Sequence, residues 1–216
     1  MRSPLCCGHR RLADNHRRKT PNQTKTGGVT AVGHESAMIY VFLAHGFEEI
    51  EALAPLDILR RAGLEVQSVG IGAKTITGAH GITVHCDIAA KEANSKKLEM
   101  VVLPGGTPGT ANLEQSKVVQ TCIDYVWEKE IWLAAICGAP SILGNKGLLN
   151  GKTFTCFPGH EQPFPEGQYT GAPVEQDGKL ITARGAGTAL EFSLKLVEVL
   201  CGAEKAAEIK AAIQCQ

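Results

Sequence analysis

The chain has 216 residues, 44% of them apolar and 20% charged, with a formal net charge of zero. This suits one globular domain with a full core and excludes a bulk electrostatic pull toward nucleic acid or membrane. No apolar run approaches the ~20 residues of a membrane span, and the N-terminus lacks the apolar centre of a secretory signal.

Residues 1–37 are polar and basic. They carry seven Lys/Arg against Asp14 and Glu35, a net of +5. With no hydrophobic period they read as a disordered extension ahead of a domain over 38–216. Two accounts are open: a targeting peptide, Arg-rich and nearly acid-free, or a true start at Met38. The second is favoured, with a cytoplasmic location.

From Met38 strand and helix signals alternate. Residues 38–44 (MIYVFLA) form a continuous apolar run, as in a strand buried on both faces. Residues 47–62 place Ile50, Leu53, Ala54, Leu56, Ile58 and Leu59 near helical period, and Gly63 stops the helix. Residues 65–71 read as a strand, and 75–77 with 82–86 as a hairpin around Gly78–Gly81. Residues 100–103 are a buried strand ending in Pro104–Gly105–Gly106. Further along come a helix over 118–129, a strand over 131–136, a helix from 140 to 146, a strand over 179–183, and helices over 188–201 and 203–213. This alternation predicts a doubly wound, mostly parallel α/β sheet with helices on both faces. Ligands in such sheets sit at the carboxyl ends of the strands. That rule selects the loops 45–51, 104–109 and 137–140.

The eight cysteines are scattered without a C-x-x-C pair, so they read as reduced thiols, and no His/Cys spacing suggests a metal site. His85–Cys86 reads as two strand residues on opposite faces. Cys137 stands apart. In Ala134–Pro140 (AAICGAP) a buried strand runs into Cys137–Gly138, and Pro140 suits the first turn of a helix. This is a nucleophile elbow with cysteine in place of serine, and the helix N-terminus is expected to lower the thiol pKa. Gly105 and Gly106 lie on the same rim and can offer N–H groups to an oxyanion. Glu51 opens the first helix on a face made apolar by Ala52, Leu53, Ala54 and Pro55. A carboxyl there tends to hold its proton, and can exchange it with a nearby thiol.

Residues 38–213 resemble the DJ-1/PfpI family, closest to its DJ-1/ThiJ branch. The segments that carry the resemblance are Gly46–Glu51 (GFEEIE), Leu59–Gly63 (LRRAG), Val101–Gly106 (VVLPGG), Ala134–Pro140 (AAICGAP) and Ala183–Thr188 (ARGAGT). The resemblance implies a flavodoxin-like fold, akin to class I glutamine amidotransferases, and a homodimer with Arg61 near its interface. It implies no metal and no organic cofactor. It makes Cys137 the reactive cysteine and Glu51 its carboxyl partner, with backbone N–H groups from Gly106 and Gly138. Gly105, His80 and Phe157 are further candidates for the substrate site. Some members place a histidine beside the cysteine, just before a proline. Here that stretch reads Thr155–Cys156–Phe157–Pro158, and His160 comes too late to match. Members with an arginine in the hairpin loop contrast with His80. A Cys–Glu arrangement is therefore expected rather than a Cys–His dyad.

The activity implied is glyoxalase III-type conversion of methylglyoxal or glyoxal to a hydroxy acid, or deglycase action on early glycation adducts. Small aldehydes are the expected partners, with no nucleic acid and no membrane. Two alternatives use the same residues: a redox-sensing stress-response protein or chaperone acting by oxidation of Cys137, and a PfpI-like cysteine peptidase.

Overall fold

The computed structural model describes residues 37–215; the extension expected over residues 1–37 lies almost wholly outside them. A seven-stranded sheet is built from β1 (Met38–Leu43), β2 (Val66–Gly70), β5 (Ile88–Ala89), β6 (Leu98–Leu103), β7 (Trp132–Ile136), β10 (Val174–Asp177) and β11 (Leu180–Ala183). Its order is β10-β11-β7-β6-β1-β2-β5, and every pair is parallel except β10 with β11. Two small ribbons accompany it. One pairs β3 (Thr75–Thr77) with β4 (Thr83–His85), and the other pairs β8 (Thr153–Phe154) with β9 (Gln168–Tyr169). The mostly parallel, doubly wound sheet is the flavodoxin-like arrangement expected.

Side-chain alternation splits the core in two. Ile39, Val41 and Leu43 of β1 face one cluster, completed by Leu56 and Leu59 of α1 (Glu49–Arg61) and Phe192 and Leu196 of α5 (Ala189–Cys201). Tyr40 and Phe42 face the other, with Leu113 of α2 (Gly109–Glu114), Val119 and Ile123 of α3 (Lys117–Glu128), and Ile142 of α4 (Pro140–Asn145). The last helix is α6 (Ala203–Ala212). Among the described residues, no helix is long and apolar enough to cross a membrane.

Four neighbouring strands, β11, β7, β6 and β1, thus end side by side at one edge of the sheet. The order in which strands are added to the sheet reverses between β6 and β1, and that switch point is the crevice where such folds hold ligands. The loops selected from sequence all leave these strand ends. A fourth, Arg184–Thr188 after β11, joins them.

Candidate active site

Cys137 follows β7 directly and adopts φ +64°, a left-handed conformation rare for a residue with a side chain. Three backbone hydrogen bonds hold the elbow there. Cys137 N–H donates to Ala183 O at 2.9 Å, Phe157 N–H donates to Cys137 O at 2.8 Å, and Ala139 N–H donates to Ile136 O at 3.0 Å. The neighbours on both sides therefore enforce a strained position, as is usual at functional turns.

Glu51 is fully buried in the first turn of α1. The helix starts at Glu49, two residues later than the sequence pattern suggests, because Glu48 serves as N-cap and its carboxylate accepts the Glu51 N–H at 2.8 Å. Glu51 Oε2 accepts the Gly105 N–H at 2.9 Å, while Oε1 makes no hydrogen bond of regular geometry. The Cys137 thiol is the polar group facing the carboxyl, and the Ala186 N–H adds a further interaction. Burial raises the Glu51 pKa to about 7, against the opposing pull of Cys137 and the backbone donors.

The thiol behaves differently from the sequence-based expectation. Burial pushes Cys137 up to about 12, and the negative charge of Glu51 adds to the rise; the Gly138 N–H pulls the other way without prevailing. The reason is physical: α4 has only six residues, so its N-terminus offers a weak field, whereas desolvation and an adjacent carboxylate act at contact range. Cys137 and Glu51 are one coupled acid pair, and the carboxyl is its more acidic member.

The other expected residues divide. Gly138 supplies an N–H beside the sulfur. Gly105 is packed against Cys137 Cβ, but its N–H is already committed to Glu51, so it is a support of the carboxyl rather than a free donor. Gly106 has φ +103°, and a side chain there would run into Gly46 O and Glu48 N. Phe157 is half exposed and lies over Gly185. His80 is engaged by Glu49: its Nδ1 is 2.8 Å from Glu49 Oε2 and its backbone N–H donates to Glu49 Oε1 at 2.7 Å. Arg61 is on the surface, paired with Asp57 at 2.7 Å.

Glu48, Glu49 and His80 bring three potential metal-ligand atoms within 4.8 Å of one another. Glu49 is already engaged by His80 and by the Ile82 N–H at 3.3 Å, so the cluster is explained as the anchor of the β3–β4 hairpin. For Glu49, burial is outweighed by these donors, and its pKa is lowered.

Two residues escaped the sequence reading. His160, which fails the family spacing, nevertheless lies with its ring over Gly138, edge-on to Phe157 at 5.9 Å. Thr110, one residue beyond the loop selected at the end of β6, turns its hydroxyl toward the same glycine. No periodicity marks either one. Only the turn Pro158–Gly159, which redirects the chain back toward Cys137, is a local sign for His160.

Comparison with known proteins gives the family and the fold. The DJ-1/PfpI family matches residues 37–199. A Parkinson disease protein 7 homolog of Danio rerio is 37% identical over 176 residues, covering 79% of this chain and 93% of the relative. A glutathione-independent glyoxalase, DJR-1.2 of Caenorhabditis elegans, is 32% identical over 160 residues, covering 73% of this chain and 85% of that protein. The crystal structure of Drosophila melanogaster DJ-1beta superposes with a TM-score of 0.80 at 34% identity, covering 84% of this chain and 99% of the other. The chain belongs to the DJ-1/PfpI family.

Proposed function

We propose that the protein is a cysteine-dependent enzyme of 2-oxoaldehydes, converting methylglyoxal or glyoxal to a hydroxy acid in the glyoxalase III manner, with early glycation adducts as a related substrate class. The observation that carries this reading is a fully buried carboxyl, Glu51, set against a thiol on a strained elbow. The likeness to a relative named as a glutathione-independent glyoxalase supports it.

The chemistry balances without an external oxidant. The Cys137 proton passes to the Glu51 carboxylate as sulfur attacks the aldehyde carbon. That proton then reaches the new oxygen, giving a hemithioacetal. Glu51, again a carboxylate, removes the proton from the attacked carbon and returns it to the adjacent one. The hemithioacetal hydroxyl proton passes to the oxygen of the second carbon, so the first carbon is oxidised, the second reduced, and a 2-hydroxy thioester is left. Water adds to the thioester, the carbon–sulfur bond breaks, and hydroxy acid and thiol are released. A carboxyl whose pKa lies near 7 suits both halves of the shuttle. N–H groups at Gly138 and Gly106 would steady the oxyanion, about 3–4 kcal/mol per donor in comparable sites.

The test is lactate formation from methylglyoxal by wild type beside Cys137→Ser and Glu51→Gln. Turnover by wild type and loss in both variants supports the reading. A wild-type protein that forms no lactate ends it. The redox-sensor reading then gains if peroxide drives Cys137, ahead of the five other cysteines among the described residues, to a sulfinic acid.

The homodimer is part of the same proposal. Ile50, Leu53 and Ile82 are exposed apolar side chains, and Glu49 ties the hairpin that bears Ile82 to the start of α1. Together they offer apolar surface to a second copy, and Arg61 lies at the far end of α1. Sedimentation equilibrium of the wild-type protein checks it.

A further inference from the structure

Anchoring the β3–β4 hairpin uses only part of the Glu48–Glu49–His80 cluster. Glu49 Oε1 accepts the backbone N–H groups of His80 at 2.7 Å and Ile82 at 3.3 Å, and these two bonds tie the hairpin to α1. Glu49 Oε2 meets the His80 ring instead, with Nδ1 at 2.8 Å. Glu48 is divided in the same way. Its Oε2 accepts the Glu51 N–H at 2.8 Å, while its Oε1 lies 4.0 Å from His80 Nδ1. Glu48 Oε1, Glu49 Oε2 and His80 Nδ1 thus face one point, all within 4.8 Å of one another.

The charge around that point is unbalanced. The Glu49 side chain is 5% exposed and that of Glu48 14%, so both carboxylates have lost most of their hydration. Among the described residues, His80 is the only basic side chain that pairs with either one. A single imidazole is a weak counterpart for two desolvated carboxylates, and buried charges are normally matched by full cations or by metals.

We propose that Glu48, Glu49 and His80 form a binding site for zinc or a similar divalent transition metal, at the junction of α1 and the β3–β4 hairpin. The proposal stands apart from the 2-oxoaldehyde reading. Zinc bonds of about 2.0–2.2 Å to nitrogen and oxygen, arranged tetrahedrally, set ligand atoms roughly 3.3 Å apart. The separations of 2.8 Å and 4.0 Å bracket that value, so closure needs only small shifts. The His80 side chain, 69% exposed, has room to make them and leaves the fourth position to water. The second oxygen of each carboxylate is held by backbone N–H groups, which orients the ligands in advance. Imidazole with two carboxylates suits zinc and its neighbours better than calcium or magnesium, which take six or more oxygen ligands. On binding, His80 Nδ1 turns its lone pair to the metal, the ring proton resides on Nε2, and the metal replaces the contact between Nδ1 and Glu49 Oε2. Glu49 and His80 are 31 residues apart, so no short ligand spacing marks the site in the chain.

Equilibrium dialysis of the full-length protein against zinc chloride tests this. Wild type should take up zinc, and His80→Ala and Glu48→Gln should each weaken that uptake at least about 10-fold. Both changes spare the fold: His80 is exposed, and glutamine keeps an acceptor for the Glu51 N–H. Cys137→Ser should bind zinc as wild type does, since the thiol is outside the ligand set. Cobalt(II) in place of zinc should give the visible bands of a nitrogen–oxygen site that His80→Ala abolishes, distinct from sulfur-to-cobalt charge transfer. Amide exchange fixes the location. Zinc should slow exchange at His80 and Ile82 in wild type, leave β1 unchanged, and slow neither amide in His80→Ala. A wild-type protein that takes up no zinc overturns the site, as does wild-type affinity in His80→Ala or in Glu48→Gln. Loss of uptake in Cys137→Ser also overturns it, because the metal then sits on the thiol. So does zinc that binds without slowing the His80 and Ile82 amides.

Discussion

Glu51 and Gly105, 54 residues apart in the chain, meet in the core through a 2.9 Å hydrogen bond from the glycine N–H to the carboxyl Oε2. The bond fixes one oxygen of a fully buried carboxyl and leaves the other for Cys137. Burial without an ion-pair partner has a thermodynamic consequence. In the unfolded chain Glu51 ionises near 4.5, and in the folded protein near 7. Between those values the folded state holds a proton that the unfolded state has lost, so stability falls as pH rises and levels off above about 7.

Glu51→Gln removes that dependence. Relative to wild type, the variant should gain stability from pH 5 to pH 8 by roughly 2–3 kcal/mol, following the shift in pKa. Urea melts of both proteins at the two pH values check it. A difference between them that does not change with pH means the carboxyl ionises freely in the fold.

Gly106 and Gly63 both have positive φ, at +103° and +82°, but their surroundings differ. A side chain on Gly63 meets nothing within 4 Å, whereas one on Gly106 meets the backbone of Gly46, Phe47 and Glu48. Gly63→Ala should therefore cost about 1–2 kcal/mol, the backbone term alone. Gly106→Ala should cost at least about twice that, because the obstacle is backbone and cannot rotate away. Equal losses in denaturant melts would show that the loop after β6 can move as a unit.

The central strands were readable because they are buried on both faces, so that β1, β7 and residues 100–103 of β6 appear as unbroken apolar runs. Two short pieces were not. β5 is only two residues, Ile88–Ala89, and β10 is a polar edge strand, Val174–Asp177, whose pairing with β11 comes from the fold rather than from its own pattern. At the site, Cys137 and Glu51 were legible from a strand–turn–helix context and an apolar helix face. The direction of the thiol pKa was not, since it depends on how deeply the sulfur is desolvated, which local sequence does not encode. His160 reaches Gly138 from a loop and Thr110 from the start of α2, and only the tertiary fold brings them there.

Glu49 secures the β3–β4 hairpin through acceptor contacts to His80 N–H, His80 Nδ1 and Ile82 N–H. Glu49→Ala should leave the global fold intact but free the turn. Amide exchange at His80 and Ile82 should accelerate by at least ~10-fold, while amides of β1 keep their protection. The His80 pKa is raised by Glu49, so this contribution is present at acidic pH and fades as pH rises through the folded value. Uniformly fast exchange in wild type and variant would show that the hairpin is not held by this carboxyl.

The proton shuttle makes the sharpest claim on the pair. Glu51 must be ionised to accept the Cys137 proton and then the proton on carbon. On the acid side, kcat/KM for methylglyoxal should therefore rise with pH through about 7, where burial places the carboxyl. Glu51→Gln keeps the shape and the acceptor for the Gly105 N–H but cannot carry a proton. It should lose at least about 100-fold in turnover, the low end for a general acid–base group. Cys137 itself stays on the same elbow, held by Ala183 and Phe157. Its modification by methyl methanethiosulfonate should continue in the variant, since the negative charge opposing ionisation has been removed. Turnover by Glu51→Gln at the wild-type rate would rule out the shuttle. Loss of turnover together with loss of thiol labelling would mean that Glu51 serves only to expose the sulfur.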